Sequence, residues 1–124
     1  MAVESKNLRV LVIEDEGIVA MLLEDMLSEL GHEVVATIGN IEQATDMVGK
    51  ASIDLAILDV NLNGHHTYCL AETLTSRGIP FLFATGYGSS GLRSEWRQAN
   101  VLQKPFTERE LARAIGRIVE NLPN

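Results

Sequence analysis

Five side chains in this sequence have the types and spacing to handle a phosphoryl group together: Glu14, Asp15, Asp59, Thr85 and Lys104. The acidic run Glu14-Asp15-Glu16 closes one apolar stretch, and Asp59 closes another, Leu55 to Leu58, just before the turn-forming Asn61, Asn63 and Gly64. Carboxylates gathered at one place repel by about 4 kcal/mol per pair at 4 Å under an effective dielectric near 20. A hard divalent cation offsets that repulsion. Magnesium suits a few carboxylates with waters and phosphate oxygens, and Mn²⁺ or Ca²⁺ could substitute for it. Beside such a cation an ionised aspartate can attack phosphorus, because the metal and a lysine ammonium neutralise charge on the incoming oxygens. Lys104 is the candidate ammonium, and a hydroxyl at Thr85 would sense whether a phosphoryl group is present. That chemistry is an aspartyl-phosphate switch.

The elements that must position these groups alternate along the chain. Leu8 to Ile13 is a short apolar run rich in β-branched residues, as buried strands are. From Gly17 to Leu30 the period changes: Ile18, Leu22, Met26 and Leu30, with Val19, Leu23 and Leu27, form one helical stripe ended by Gly31. Glu33 to Ile38 is the second strand. Asn40 and Gln43 resemble a capping box for a helix whose face is Ile41, Ala44, Met47 and Val48, closed by Gly49. Strand three is Leu55 to Leu58, followed by an NLNG loop. Residues 67 to 77 carry Leu70, Ala71 and Leu74 at helical spacing, before Gly78, Pro80 and strand four, Phe81 to Ala84. Between Gly86 and Asn100 only Leu92, Trp96 and Ala99 outline a face, which predicts a loop with a short, marginal helix. Val101 to Gln103 is a fifth strand, and the Thr107/Glu110 capping box opens a last helix over Leu111, Ile115, Ile118 and Leu122, ended by Pro123.

Strands alternating with helices through short loops predict a doubly wound α/β domain: five parallel strands, right-handed crossovers, helices on both faces. Ligands bind beyond the carboxyl ends of such strands, and all five candidate residues fall there. Each has an ordinary explanation alone. Acids favour a helix start, Asp59 could be a loop acid, and Lys104 could be a surface lysine. Their prediction at one rim of one sheet is what scattered surface charge does not explain.

Here the sequence becomes recognisable. IEDE, LAILDVNLNG, FATGYG and LQKPF, in that order and spacing, resemble the receiver domain of two-component response regulators over nearly the whole chain. The resemblance implies a strand order of 2-1-3-4-5 and a cis Lys104-Pro105 bond. It makes Asp59 the phosphoacceptor, Glu14 and Asp15 the acidic pair serving Mg²⁺, Thr85 the switch hydroxyl and Lys104 the phosphate-binding lysine, with the main-chain carbonyl of Asn61 completing the metal's protein ligands. PFLFATGYG is similar to a subgroup often paired with histidine kinases of the HWE type, so the expected donor is such a kinase or a phosphotransfer protein, and the expected output is contact with an unknown downstream protein. Glu14 replaces the aspartate commonest at its position, and Val101 stands where many receivers carry a switching aromatic ring. A rotating ring is therefore not the expected signal. Ordering of the weak segment between Thr85 and Lys104 is.

Composition fits this reading. At 124 residues and 46% hydrophobic, the chain can build one core, so a single domain is expected over residues 1–124, with 1–7 as a tail and no output domain. A net charge of −7 disfavours nucleic acid and anionic membranes. One cysteine and no apolar signal core point to the cytoplasm. Adjacent His65 and His66 do not share a helical face as metal pairs do, and are expected in a loop or helix start. Cys69 is expected in the core or at its boundary, and Trp96 with Leu92 is expected to tack the weak helix to the core. Tyr87 lies near enough to Thr85 to influence access. The rival class is a Mg²⁺-dependent phosphohydrolase of the haloacid-dehalogenase type, but its second motif acid is Asn61 here and its acidic pair would precede the nucleophile. A flavodoxin-like nucleotide module is disfavoured because neither phosphate-loop motif occurs.

Overall fold

A computed structural model describes residues 7–86, 92–96 and 98–121. The strands are β1 (Arg9–Ile13), β2 (Glu33–Ile38), β3 (Leu55–Asp59), β4 (Asn61–Leu62), β5 (His65–His66), β6 (Phe81–Thr85) and β7 (Val101–Gln103). Five pair in parallel in the order β2-β1-β3-β6-β7, which is 2-1-3-4-5 once the small antiparallel β4-β5 hairpin is set aside. The continuous apolar runs of β1 and β3 follow from burial on both faces. Leu11 and Ile13 of β1, with Ala56 and Leu58 of β3, point to one face, while Val10, Val12, Leu55 and Ile57 point to the other.

Helices α2 (Ile41–Lys50) and α3 (Tyr68–Ser76) cover the first face, and α1 (Gly17–Glu29) and α4 (Glu108–Glu120) cover the second. Local chemistry sets their ends. Asn40 Oδ1 accepts from the amides of Glu42 and Gln43, capping α2. Thr107 and Glu110 form the reciprocal capping box of α4. Gly31 and Gly78 take φ of +89° and +73° just past α1 and α3, as the two predicted stops require.

Several expectations are corrected. Ile18 and Leu22 do not face the core: they are 78% and 51% exposed, with Met21 at 63%. The sheet accepts only Ala20, Leu23 and Leu27 fully, so the stripe is wider than the surface available to bury it. Gly49 lies inside α2, which runs on to Lys50 and is capped by Ala51. The NLNG loop and both histidines build the β4-β5 hairpin, turned by Asn63 (φ +54°) and Gly64 (φ +89°). Cys69 is exposed, on the outer side of the first turn of α3. Among its described residues the weak segment contains a 3₁₀ turn, Ser94–Trp96, and Leu92 and Trp96 do pack on the core. Tyr87, Leu122 and Pro123 lie outside the described residues. No helix among the described residues is long and apolar enough to cross a membrane.

Candidate functional site

Four strands, β1, β3, β6 and β7, deliver the site by ending together. The amide of Glu14, just past β1, donates to Ile38 O at 3.0 Å, so the acidic pair leaves the sheet beside the end of β2. Asp59 ends β3 opposite Ala84, and Thr85 is the last residue of β6. Lys104 follows β7, and its amide donates to Thr85 O at 2.8 Å, tying the two strand ends together. The Lys104-Pro105 peptide is cis, as the resemblance implied.

The side chains converge. Carboxylate oxygens of Glu14, Asp15 and Asp59 lie within 4.8 Å of one another. Octahedral magnesium holds its oxygens at 2.0–2.1 Å, which spaces adjacent ligand oxygens by about 3 Å and opposite ones by about 4 Å, so this donor set fits such an ion once the carboxylates close in by about 1 to 2 Å. Lys104 Nζ stands 2.9 Å from Glu14 Oε1 and 3.4 Å from Asp59 Oδ2, with Glu16 at 3.9 Å. Glu14 is buried, and its second oxygen accepts from the Glu16 amide at 3.1 Å. The longer side chain of a glutamate thus satisfies a backbone donor and the lysine at once.

Burial raises the pKa of Glu14, and the Asp59 charge adds to this against the opposing hydrogen bonds from Lys104 and Glu16. For Lys104, burial alone would lower the pKa, but the hydrogen bond to Glu14 and the charge of Asp59 outweigh it and raise the value. The ammonium is therefore held charged between Glu14 and Asp59.

Two contributors have no motif signature. Gly39 follows β2, and a Cβ there would meet Asp15 Cα and Glu14 O at 3.3 Å, so glycine lets β2 pass close under the acidic pair. Thr67, wholly buried at the start of α3, donates its hydroxyl to Asp59 O at 2.7 Å. Only a tertiary approach reveals either one. Next to Thr67, Tyr68 stacks on Trp96, with ring centroids 6.1 Å apart, and its hydroxyl accepts from the Arg93 amide at 2.9 Å. The loop that follows Asp59 is thereby linked to the segment after Thr85.

Residues 10–116 match the response regulator receiver domain family. SdrG from Sphingomonas melonis Fr1 is similar in structure, with a TM-score of 0.83 and 41% identity over 94% of this chain and 99% of that one. The receiver domain of PhyR from Erythrobacter litoralis gives a TM-score of 0.81 and 30% identity over 95% of each chain. The transcriptional regulatory protein PdtaR of Mycobacterium tuberculosis is 32% identical over 86% of this chain and 54% of its own length. This chain thus spans about half of that curated relative. With its sheet order, its acidic rim and this extent of matching, the chain belongs to the response regulator receiver domain family of two-component signalling.

Proposed function

We propose that Asp59 accepts a phosphoryl group from a phosphohistidine on a histidine kinase, of HWE type, or on a phosphotransfer protein, in a Mg²⁺-dependent reaction. The observation that carries this reading is Lys104 Nζ poised between Glu14 and Asp59 on the rim where three carboxylates meet. An Asp59 carboxylate oxygen forms the new bond to phosphorus as the phosphorus-nitrogen bond of the donor breaks, and the imidazole keeps the electron pair and takes a proton from the medium. Lys104 turns its ammonium from Asp59 to a phosphoryl oxygen, and Thr85 offers its hydroxyl to another. Glu14, Asp15, Asp59 and the carbonyl of Asn61 would hold the Mg²⁺, which when bound neutralises charge on the phosphoryl oxygens.

The donor has a place to sit. Val19, Leu22 and Met26 of α1 line an apolar hollow of about 300 Å³ with Pro105 and Phe106, directly beside Lys104. A protein bringing phosphohistidine to Asp59 would cover it and the exposed Ile18 and Met21. Output is protein contact by the receiver in the cytoplasm, acting as regulator, relay or sink and not as a hydrolase.

Incubation with Mg²⁺ and acetyl phosphate, read by intact mass, tests the proposal. The wild type should gain one phosphoryl group, and neither Asp59→Asn nor a chelated sample should. A gain of equal size in Asp59→Asn, or none in the wild type, defeats it.

A further inference from the structure

The hydroxyl of Thr67 is used in a way that its position alone does not require. Thr67 is the N-cap residue of α3, where a threonine oxygen ordinarily accepts from an amide in the first turn, yet it makes no such bond. It donates instead to Asp59 O at 2.7 Å, with Val60 O at 3.3 Å, and its own amide donates to Val60 O at 3.0 Å. Its carbonyl accepts from the amides of Leu70 and Ala71, starting the helix. One wholly buried residue therefore clamps both ends of the β4-β5 hairpin and fixes them to α3. Within the clamp, Asp59 Oδ1 accepts from the Asn61 amide at 3.2 Å, and Asn61 Oδ1 accepts from the Gly64 amide at 2.8 Å.

We propose that Thr67 is a positioning residue for phosphoryl transfer: its hydroxyl, by holding the Asp59 carbonyl, sets the direction in which the Asp59 carboxylate and the Asn61 carbonyl leave the backbone. The inference rests on Asp59 being the phosphoacceptor. Its physical basis is that an error of about 1 Å in a reacting group costs on the order of a hundredfold in rate, and that partners behind a metal ligand typically change metal affinity by about 10- to 100-fold. Aligning Asp59 from behind affects both quantities.

Three proteins decide it: wild type, Thr67→Val, which keeps the shape and loses the hydroxyl, and Thr67→Ser, which keeps the hydroxyl. Mg²⁺ affinity is read by titration of Trp96 fluorescence at 20 °C on protein shown folded by circular dichroism. The rate of mass gain from acetyl phosphate is read at saturating Mg²⁺. Thr67→Val is expected to lose about tenfold in each, and Thr67→Ser to stay within about twofold of wild type. A residue that only stabilised the fold would lower Tm and leave both constants of the folded protein unchanged. Wild-type affinity and rate in Thr67→Val overturn the proposal, as does an equal impairment of Thr67→Ser. Should the valine protein not fold, Thr67→Ala, which also lacks the hydroxyl, takes its place with the same expected loss, and wild-type constants in it overturn the proposal. A wild type that takes up no phosphoryl group sinks the phosphoacceptor reading instead, while the Mg²⁺ titration still reports on Thr67.

Discussion

Replacing Lys104 by methionine keeps the unbranched stem and removes the ammonium 2.9 Å from Glu14 and 3.4 Å from Asp59. At an effective dielectric near 20 these contacts amount to about 6 and about 5 kcal/mol. Glu16, at 3.9 Å with a side chain 67% exposed, adds nothing countable. Drying the ammonium and the Glu14 carboxylate opposes this attraction by several kcal/mol per ion, and Glu14 can take up a proton when its partner goes. The expected net loss is therefore about 3 to 5 kcal/mol, typical of removing half of a buried pair. For a domain of this size, at about 4 °C per kcal/mol, Tm should fall by about 12 to 20 °C with chelator present. The pH dependence is the sharper test. Burial already raises the pKa of Glu14 against the hydrogen bond from Lys104, and without that bond it rises further. Between the unfolded carboxylate value of 4.5 and the folded one, the native state holds the extra proton, so stability falls as pH rises. The variant's deficit should be smallest near the unfolded value and grow toward neutrality. Lys104's own raised pKa keeps its contribution fully present below 10.5, so it does not slope across that window. Thermal melts at pH 5.0 and 7.5 would measure this. An equal deficit at both, or a variant more stable than wild type, would refute the reasoning.

Two further outcomes are expected. Magnesium at about ten times its Kd should stabilise the wild type by about 1.4 kcal/mol, or about 6 °C in Tm, and Asp15→Asn should lose most of that shift; equal shifts in both proteins would remove Asp15 from the ligand set. Thr107→Ala removes the 3.1 Å bond from the Glu110 amide to the Thr107 hydroxyl, keeps the 2.8 Å bond from the residue's own amide to Glu110 Oε1, and should lower Tm by about 4 °C at a cost of about 1 kcal/mol while leaving the magnesium shift untouched.

Much of this site was legible in the sequence for one physical reason. Strands covered on both faces are continuous apolar runs, so a charged residue that ends one, as Asp59 ends Leu55 to Leu58, announces a strand terminus and its open rim. Caps were equally readable, because Asn40 and Thr107 act on amides two or three residues away. What was not legible depends on which neighbour arrives. The α1 stripe reads the same whether the sheet or another protein covers it, so Ile18 and Leu22 could not be told from Leu23 and Leu27. Gly49 stands where a helix stop is expected, but among the described residues the glycines that follow helix ends, Gly31 and Gly78, have positive φ, and Gly49 does not. Cys69 shares its turn with buried Tyr68 and Leu70, and periodicity alone did not turn it outward. Gly39 and Thr67 matter through contacts with segments 24 and 8 residues away, which no local pattern encodes.

The pairing of β1 with β2 steps from Val10↔Val34 to Leu11↔Ala36, leaving Val35 unmatched on the outermost strand. That irregularity twists the border of the sheet away from a neighbouring chain that would otherwise add a strand to it. The opposite border is β7, only three residues long. Kinked on one margin and abbreviated on the other, the sheet offers poor templates for cross-chain β-stacking, so encounters with other proteins are left to its helices and its rim.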